Sequence, residues 1–227
     1  MTNNHINIIF GENDLTIEDV IALSEQRARP VLSGSSEFRA RIQKGADFLD
    51  QELREHGHIY GVTTGYGDSV SRRVPPELVA ELPLHLSRFH GCGLGNILPA
   101  DQARAVLAVR LASLCSGYSA VSVDLLDQLT GLLAHDITPL IPEEGSVGAS
   151  GDLTPLSYVA AALIGERDVL YRGTRTTARD ALDKAGLPPL VLRPKEALAI
   201  MNGTAVMTAL MCQAFVRAQY LCKLTSR

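Results

Sequence analysis

Apolar residues recur along the chain mainly at helical spacing, with a few short runs of strand character. Ile6 to Phe10 is a β-rich run. Gly11 to Leu15 then turns into a helix beginning TIEDVIALSEQ, with Thr16 as its N-cap and acidic residues in the first turn. Ser35 or Ser36 caps the next helix, where Phe38, Ile42, Ala46, Leu49 and Leu53 keep near 3.6-residue spacing up to Gly57. From Gly57 to Arg73 four glycines and several hydroxyls interrupt any apolar period, which predicts a long loop. Pro75 and Pro76 start a helix through Leu86 and on to Phe89, stopped by HGCGLGN. Pro99 suits the first turn of a helix that ends at Gly117, and Ser122 to His135 gives one more. A proline- and glycine-rich stretch, Asp136 to Gly151, leads into an apolar helix from Leu153 or Thr154 to Gly165. RDVLYRGTRTTARD then predicts a short hairpin, followed by a small helix and the loop GLPPLVLRP. Two helices, Lys195 to Met201 and Thr204 to Lys223, flank Asn202-Gly203. The expected class is mainly α with minor β, without internal repeats or a linker that would divide it.

Composition narrows this picture. The 227 residues are 46% apolar and 20% charged, proportions of a folded chain with ample core, and the net charge of −4 gives no basic excess for neutralising nucleic-acid phosphates. Small-molecule chemistry is the expectation, with neither nucleic acid nor membrane as partner. Cys92, Cys115, Cys212 and Cys222 lack the close spacing of zinc or redox motifs, so no metal site is expected. The N-terminus MTNNHINIIFGENDL lacks the pattern of a signal peptide, which points to the cytoplasm. Leu153 to Gly165, read as the most apolar stretch, is too short to span a bilayer. The last helix is apolar almost to Arg227, and Ala205, Leu210, Ala214 and Tyr220 need partners. The chain is therefore expected to be a fragment, or to associate.

The segment Gly148-Ala149-Ser150-Gly151-Asp152-Leu153-Thr154-Pro155-Leu156 carries the most chemical information. A plain account makes it a loop and N-cap ahead of a helix. A second account uses the backbone: the Gly151 amide nitrogen attacks the Ala149 carbonyl carbon, an approach that glycine leaves open. Loss of water from the ring, and of the Ser150 hydroxyl as a second water, leaves an exocyclic methylidene electrophile.

ASGDLTPL resembles the signature of the aromatic amino-acid ammonia-lyase family, the histidine, phenylalanine and tyrosine ammonia-lyases and related aminomutases. Tyr60-Gly61-Val62-Thr63-Thr64-Gly65-Tyr66-Gly67 is similar to the family's YGxNTGFG loop, and Ile200-Met201-Asn202-Gly203-Thr204 to its LLNGT segment. The resemblance implies a mostly helical fold of the L-aspartase/fumarase-like superfamily, of which residues 1–227 are the N-terminal, prosthetic-group-bearing part. The later helical bundle, a second tyrosine loop, a carboxylate-binding arginine and a late glutamate are absent from it. It also implies that Ala149, Ser150 and Gly151 cyclise to 4-methylidene-imidazol-5-one with no external cofactor, and that the protein is a homotetramer.

By the same resemblance Tyr60 transfers the β-proton. Tyrosine hydroxyls are ordinarily protonated at neutral pH, so the site must stabilise a phenolate. Asn202 lies near the prosthetic group and substrate, where its amide can donate and accept; an Asn-Gly turn between helices explains it equally. Gly67 and Leu153 line the substrate site. Backbone N–H groups at Asp152 and Leu153 are placed to stabilise charge on the imidazolone oxygen, although an N-cap accounts for Asp152 itself. Phe89-His90 occupies the position of the substrate-selecting pair but matches none of the family's usual pairs, leaving histidine and tyrosine or phenylalanine open as substrates. Elimination to the α,β-unsaturated acid is the expected reaction, begun by attack of the substrate amine or of its ring. An aminomutase, or a catalytically incomplete fragment needing a C-terminal partner, remains the alternative. Gly91-Cys92-Gly93-Leu94-Gly95 follows no strand and so makes a poor dinucleotide motif, His56 and His58 suit a solvated helix end, and Glu143 and Glu144 a solvated loop.

Overall fold

The computed structural model describes residues 6–55, 57–148 and 150–226; Ala149 and His56 lie outside the described residues. Strand β1 (Ile6–Phe10) pairs in parallel with β2 (Ala28–Leu32), and helix α1 (Ile17–Ser24) connects them. A capping box starts α1: Thr16 Oγ1 accepts from the Asp19 amide at 3.1 Å, and the Thr16 amide donates to Asp19 Oδ2 at 3.0 Å. The sequence reading overlooks β2 because Arg29 and Pro30 mask its period. Pro30 is tolerated here in a sheet of only two strands.

Helix α2 (Ser36–Glu55) buries Phe38, Ile42, Ala46 and Leu49, the stripe expected from their spacing. The expected helix from Pro75 to Phe89 is in fact two pieces, a 3₁₀ turn at Pro76–Leu78 and α3 (Leu82–His90). Pro83 is the cause: it has no N–H to donate and fits only in the first turn of a new helix. Two glycines at 93 and 95 hide β3 (Leu94–Ile97), which pairs antiparallel with β5 (Pro142–Glu144). Pro99 stands at the N-cap of α4 (Ala100–Cys115), one residue before the first turn expected for it.

Helix α4 is the centre of the core. Ala103, Ala105, Val106, Leu107, Ala108, Leu111 and Leu114 are all fully buried, so it is covered on nearly every side, by α1, α5 (Val123–Ala134), α8 (Glu196–Met201) and α9 (Ala205–Thr225). Strands β4 (Ile137–Pro139), β6 (Asp168–Tyr171) and β7 (Thr174–Thr177) form an antiparallel sheet. Arg172 and Gly173, both at positive φ, make the two-residue turn of the expected hairpin. Helix α6 (Leu153–Leu163) packs on α3 and α8, and α7 (Ala178–Ala185) closes against β6 and β7.

The apolar helix at 153–163 is too short to cross a membrane, whereas a longer apolar stretch, 196–225, could do so by length and composition alone. It is broken between α8 and α9, and Ala197, Ile200, Met201, Ala205 and Ala209 are buried in the core. Ala205 thus finds its partners within the chain. Ala214 and Tyr220 do not, and the outer half of α9 exposes Phe215, Tyr220, Leu221 and Leu224. All four cysteines are free thiols, Cys115 and Cys212 buried, Cys92 and Cys222 exposed. Among the described residues no His, Cys, Asp or Glu cluster could hold a metal.

Candidate active site

The segment entering α6 is fixed by a helix other than its own. Asp152 precedes α6 but makes no side-chain cap to it. Its buried carboxylate instead accepts from the Val206 and Met207 amides at 2.9 and 3.1 Å, the unpaired donors of the first turn of α9, while Ser146 Oγ donates to its other oxygen at 2.9 Å. Negative charge is favourable at that terminus. The expected side-chain cap of α6 is therefore not made; Asp152 instead caps, with its carboxylate, the first-turn amides of α9, more than fifty residues later in the chain. Its amide is also engaged, donating to Gly203 O at 2.7 Å. The expected oxyanion donor at 152 is thus committed to the 202–203 turn, which leaves only Leu153 of the two proposed amides.

Gly151 has φ +88°, and a Cβ built on it would lie 2.5 Å from Gly203 O and 2.7 Å from Gly203 N. Only glycine fits here, on conformation and on space. Gly151 thus rests on the turn that carries Asn202. Gly203 is in turn crowded, since a Cβ on it would sit 2.0 Å from Arg110 Nη1. Arg110, buried in α4, donates through Nη2 to Ala199 O and, at 3.0 Å, to Asn202 O. Burial lowers its pKa to about 10, against the opposing pull of the Asp152 charge. Arg110, Ser146 and Gly203 were not among the predicted site residues. A single charge inside the apolar run 105–115 is the available signal.

The 57–73 loop is ordered by its own hydroxyls. Thr63 Oγ1 accepts from the Ile59 amide at 2.8 Å and buried Thr64 Oγ1 from the Gly61 amide at 3.0 Å. Tyr60 is 53% exposed, and its hydroxyl accepts from the Gly67 amide at 3.0 Å. Its ring meets that of Tyr66 edge-on at 6.5 Å. Burial, and then Tyr60, push the Tyr66 hydroxyl up to about 12, so Tyr66 stays protonated. Gly61 lets the loop lie on α8: a Cβ there would come 2.7 Å from Leu198 Cδ2. Asn202 ends α8, is exposed, and donates from Nδ2 to Leu198 O at 3.3 Å. Tyr60 and Asn202 are thereby placed by one short helix.

Phe89 and His90 end α3, which packs on both α6 and α8. Phe89 is 80% exposed and meets the His90 ring edge-on at 5.1 Å. His90 Nδ1 lies 3.0 Å from Leu86 O, which can only accept, so in the neutral ring Nε2 is the acceptor. Arg88 pairs with Glu166, and Arg167 donates to Gly91 O at 2.8 Å, bracketing Phe89-His90 from both sides. Leu153 is half-buried at the start of α6. A groove of about 1070 Å³ between β1, α4 and α9 includes none of the predicted site residues.

Residues 15–227 match the family described as aromatic amino acid lyase. A histidine ammonia-lyase from Bacillus velezensis is 42% identical over 190 residues, 84% of this chain and 37% of its own length. An MIO-dependent tyrosine 2,3-aminomutase from Streptomyces globisporus is 43% identical over 202 residues, 89% of this chain and 37% of that protein. The solved phenylalanine aminomutase of Pantoea agglomerans superposes with a TM-score of 0.88 at 29% identity, covering 97% of this chain and 42% of that one. The chain spans about two fifths of the length of these relatives.

Proposed function

Because the chain belongs to the aromatic amino acid lyase family, we propose that it is the N-terminal, prosthetic-group-bearing part of an ammonia-lyase that converts an aromatic L-amino acid into the α,β-unsaturated acid. The observation that carries this reading is Gly151, held at φ +88° with no room for a side chain against Gly203. Such a backbone suits the cyclised form of Ala149, Ser150 and Gly151, and Ala149 enters on sequence alone. When formed, the group supplies a methylidene electrophile that makes the substrate's amine a better leaving group.

The chain's own residues do the rest. Tyr60 takes the β-proton, and the Gly67 amide that donates to its hydroxyl stabilises the phenolate that this role requires. Asn202, exposed on the turn against Gly151, orients the substrate's carboxylate or amine. Leu153 lines the site, and its amide is the donor left for charge on the ring oxygen. Phe89 offers an aromatic face and His90 Nε2 an acceptor for a phenol or an imidazole N–H, which supports histidine or tyrosine over phenylalanine. The cytoplasm is the proposed compartment and a homotetramer the proposed assembly.

A second reading is an aminomutase, favoured by the identity to a tyrosine 2,3-aminomutase. A third makes the chain an incomplete module completed by a C-terminal partner, favoured by the exposed apolar outer half of α9. Intact mass with peptide mapping across 148–153 tests the main reading, and a deficit of two waters is expected. An unmodified triad in the chain, alone and with a C-terminal half supplied, overturns it. Incubation with histidine, tyrosine and phenylalanine then separates unsaturated acid from β-amino acid, and activity only with the C-terminal half selects the third reading. In an active form Tyr60→Phe is expected to slow turnover by roughly a hundredfold or more.

A further inference from the structure

Arg110 has no part in the chemistry above, yet it is a cation buried in the central helix of the core. Removing a guanidinium from water is costly unless it is well paired, and an apolar residue of similar volume would fill the space at lower cost. The pairing is incomplete: Nη2 holds Ala199 O and Asn202 O, whereas Nε has no partner among the described residues. What the group does achieve is steric and directional. It bridges the carbonyls at the C-terminal end of α8 and abuts Gly203 through Nη1, while Gly203 lies against Gly151, and neither contact has room for a methyl group. On the far side Asp152 ties the same peptide to Gly203 O and to the first turn of α9.

Resting on the proposed function, we propose that Arg110 is a positioning residue for ring closure, pressing the 202–203 turn onto Gly151 so that the loop is held in its compact, cyclising form. In that step a bond forms between the Gly151 nitrogen and the Ala149 carbonyl carbon, and the Gly151 amide proton passes to the carbonyl oxygen. That hydroxyl leaves with the Ser150 amide proton as the first water. The Ser150 hydroxyl leaves with the Cα proton as the second, and no oxidant or reductant is needed. Arg110 touches none of these atoms. It acts through Gly203, by keeping Gly151 from relaxing away from the reactive geometry, where small displacements have large effects on rate.

The test is the time course of the two-water mass loss in the full 227-residue chain, made by cell-free synthesis and sampled by intact mass. Arg110→Met keeps bulk without donors, and cyclisation is expected to slow roughly tenfold to a hundredfold. Arg110→Lys, a cation with fewer and less rigid donors, should recover part of that rate. Leu129→Ala, a core change in α5, controls for lost stability: matched for thermal midpoint, it should cyclise near the wild-type rate. Wild-type kinetics in a folded Arg110→Met, or equal slowing in the Leu129→Ala control, overturns the proposal while leaving the electrophile reading intact. If Arg110→Met does not fold, Arg110→Lys decides, and the wild-type rate in it overturns the proposal. A wild-type chain that never loses two waters overturns both.

Discussion

Asp152 and Tyr60 each hold position through side-chain oxygens that accept hydrogen bonds, but in opposite settings. Asp152 is buried with three donors, from Ser146, Val206 and Met207, whereas Tyr60 is about half exposed with one, from Gly67. The first arrangement is closed by elements of this chain alone: α6, α8, α9 and Arg110 of α4 interlock around Gly151 and Gly203. The second is a loop ordered internally by Thr63 and Thr64, with Tyr60 about half exposed on it. The proposed electrophile is thus built from within, and the proposed base stands on a surface that a further polypeptide would have to enclose. Confinement and reactivity need not come from the same part of a protein.

That contrast can be broken most severely at Ser150. Ser150→Ala removes the hydroxyl that leaves as the second water and should abolish the two-water deficit completely; any such deficit retained in the variant, read by intact mass, refutes the electrophile. Next in size is Asp152→Ala, which strands two helix-terminal amides and a serine hydroxyl in a buried place. Hydrogen bonds to a charged group are worth about 1.5–3 kcal/mol each and are not additive, so a loss on the order of 3 kcal/mol is expected in urea unfolding. A loss below about 1 kcal/mol would mean that α9 does not depend on this cap.

Tyr60→Phe sharpens the other side. With one hydrogen bond at an exposed position, stability should change by no more than about 0.5–1 kcal/mol and the mass deficit should persist unaltered. A Tyr60→Phe chain that fails to cyclise would show the two regions to be one unit. The smallest effect concerns the end of α3, where Arg88 holds the Glu166 carboxyl below its usual range. A depressed carboxylate stabilises the fold above its unfolded pKa, and that contribution is lost as pH falls through the folded value. The thermal midpoint of wild type should therefore exceed that of Glu166→Gln at neutral pH and converge with it in acid. This pair is largely exposed, so solvent keeps the difference small.

Helices with a clear polar face were readable from sequence: Thr16 capping α1, the Phe38–Ile42–Ala46–Leu49 stripe of α2 and the Asn202-Gly203 break all lie where spacing and capping chemistry put them. Strands β2, β3 and β5 were not, because Pro30, Gly95 and Pro142 break the alternation that identifies a strand, and their pairing is settled by partners distant in sequence. Pro83 divided one expected helix into two. At the candidate site, local motifs single out Tyr60, Ser150, Gly151 and Asn202 as proposed functional residues, while the links joining their segments are invisible in the sequence. Asp152 reaches amides at 206 and 207, and Arg110 reaches carbonyls at 199 and 202, contacts that no window of sequence contains.

The reach of Asp152 also has a consequence in time. Protein synthesis runs from the N-terminus, so Gly151 and Asp152 leave the ribosome long before the Gly203 carbonyl that closes over them and the Val206 and Met207 amides that anchor them. Until residue 207 has emerged, the loop after Ser146 has nothing to be pressed against. Any reaction that depends on that confinement is held back until α9 has begun to fold, so the first turn of α9 would time the proposed cyclisation of a segment made more than fifty residues earlier.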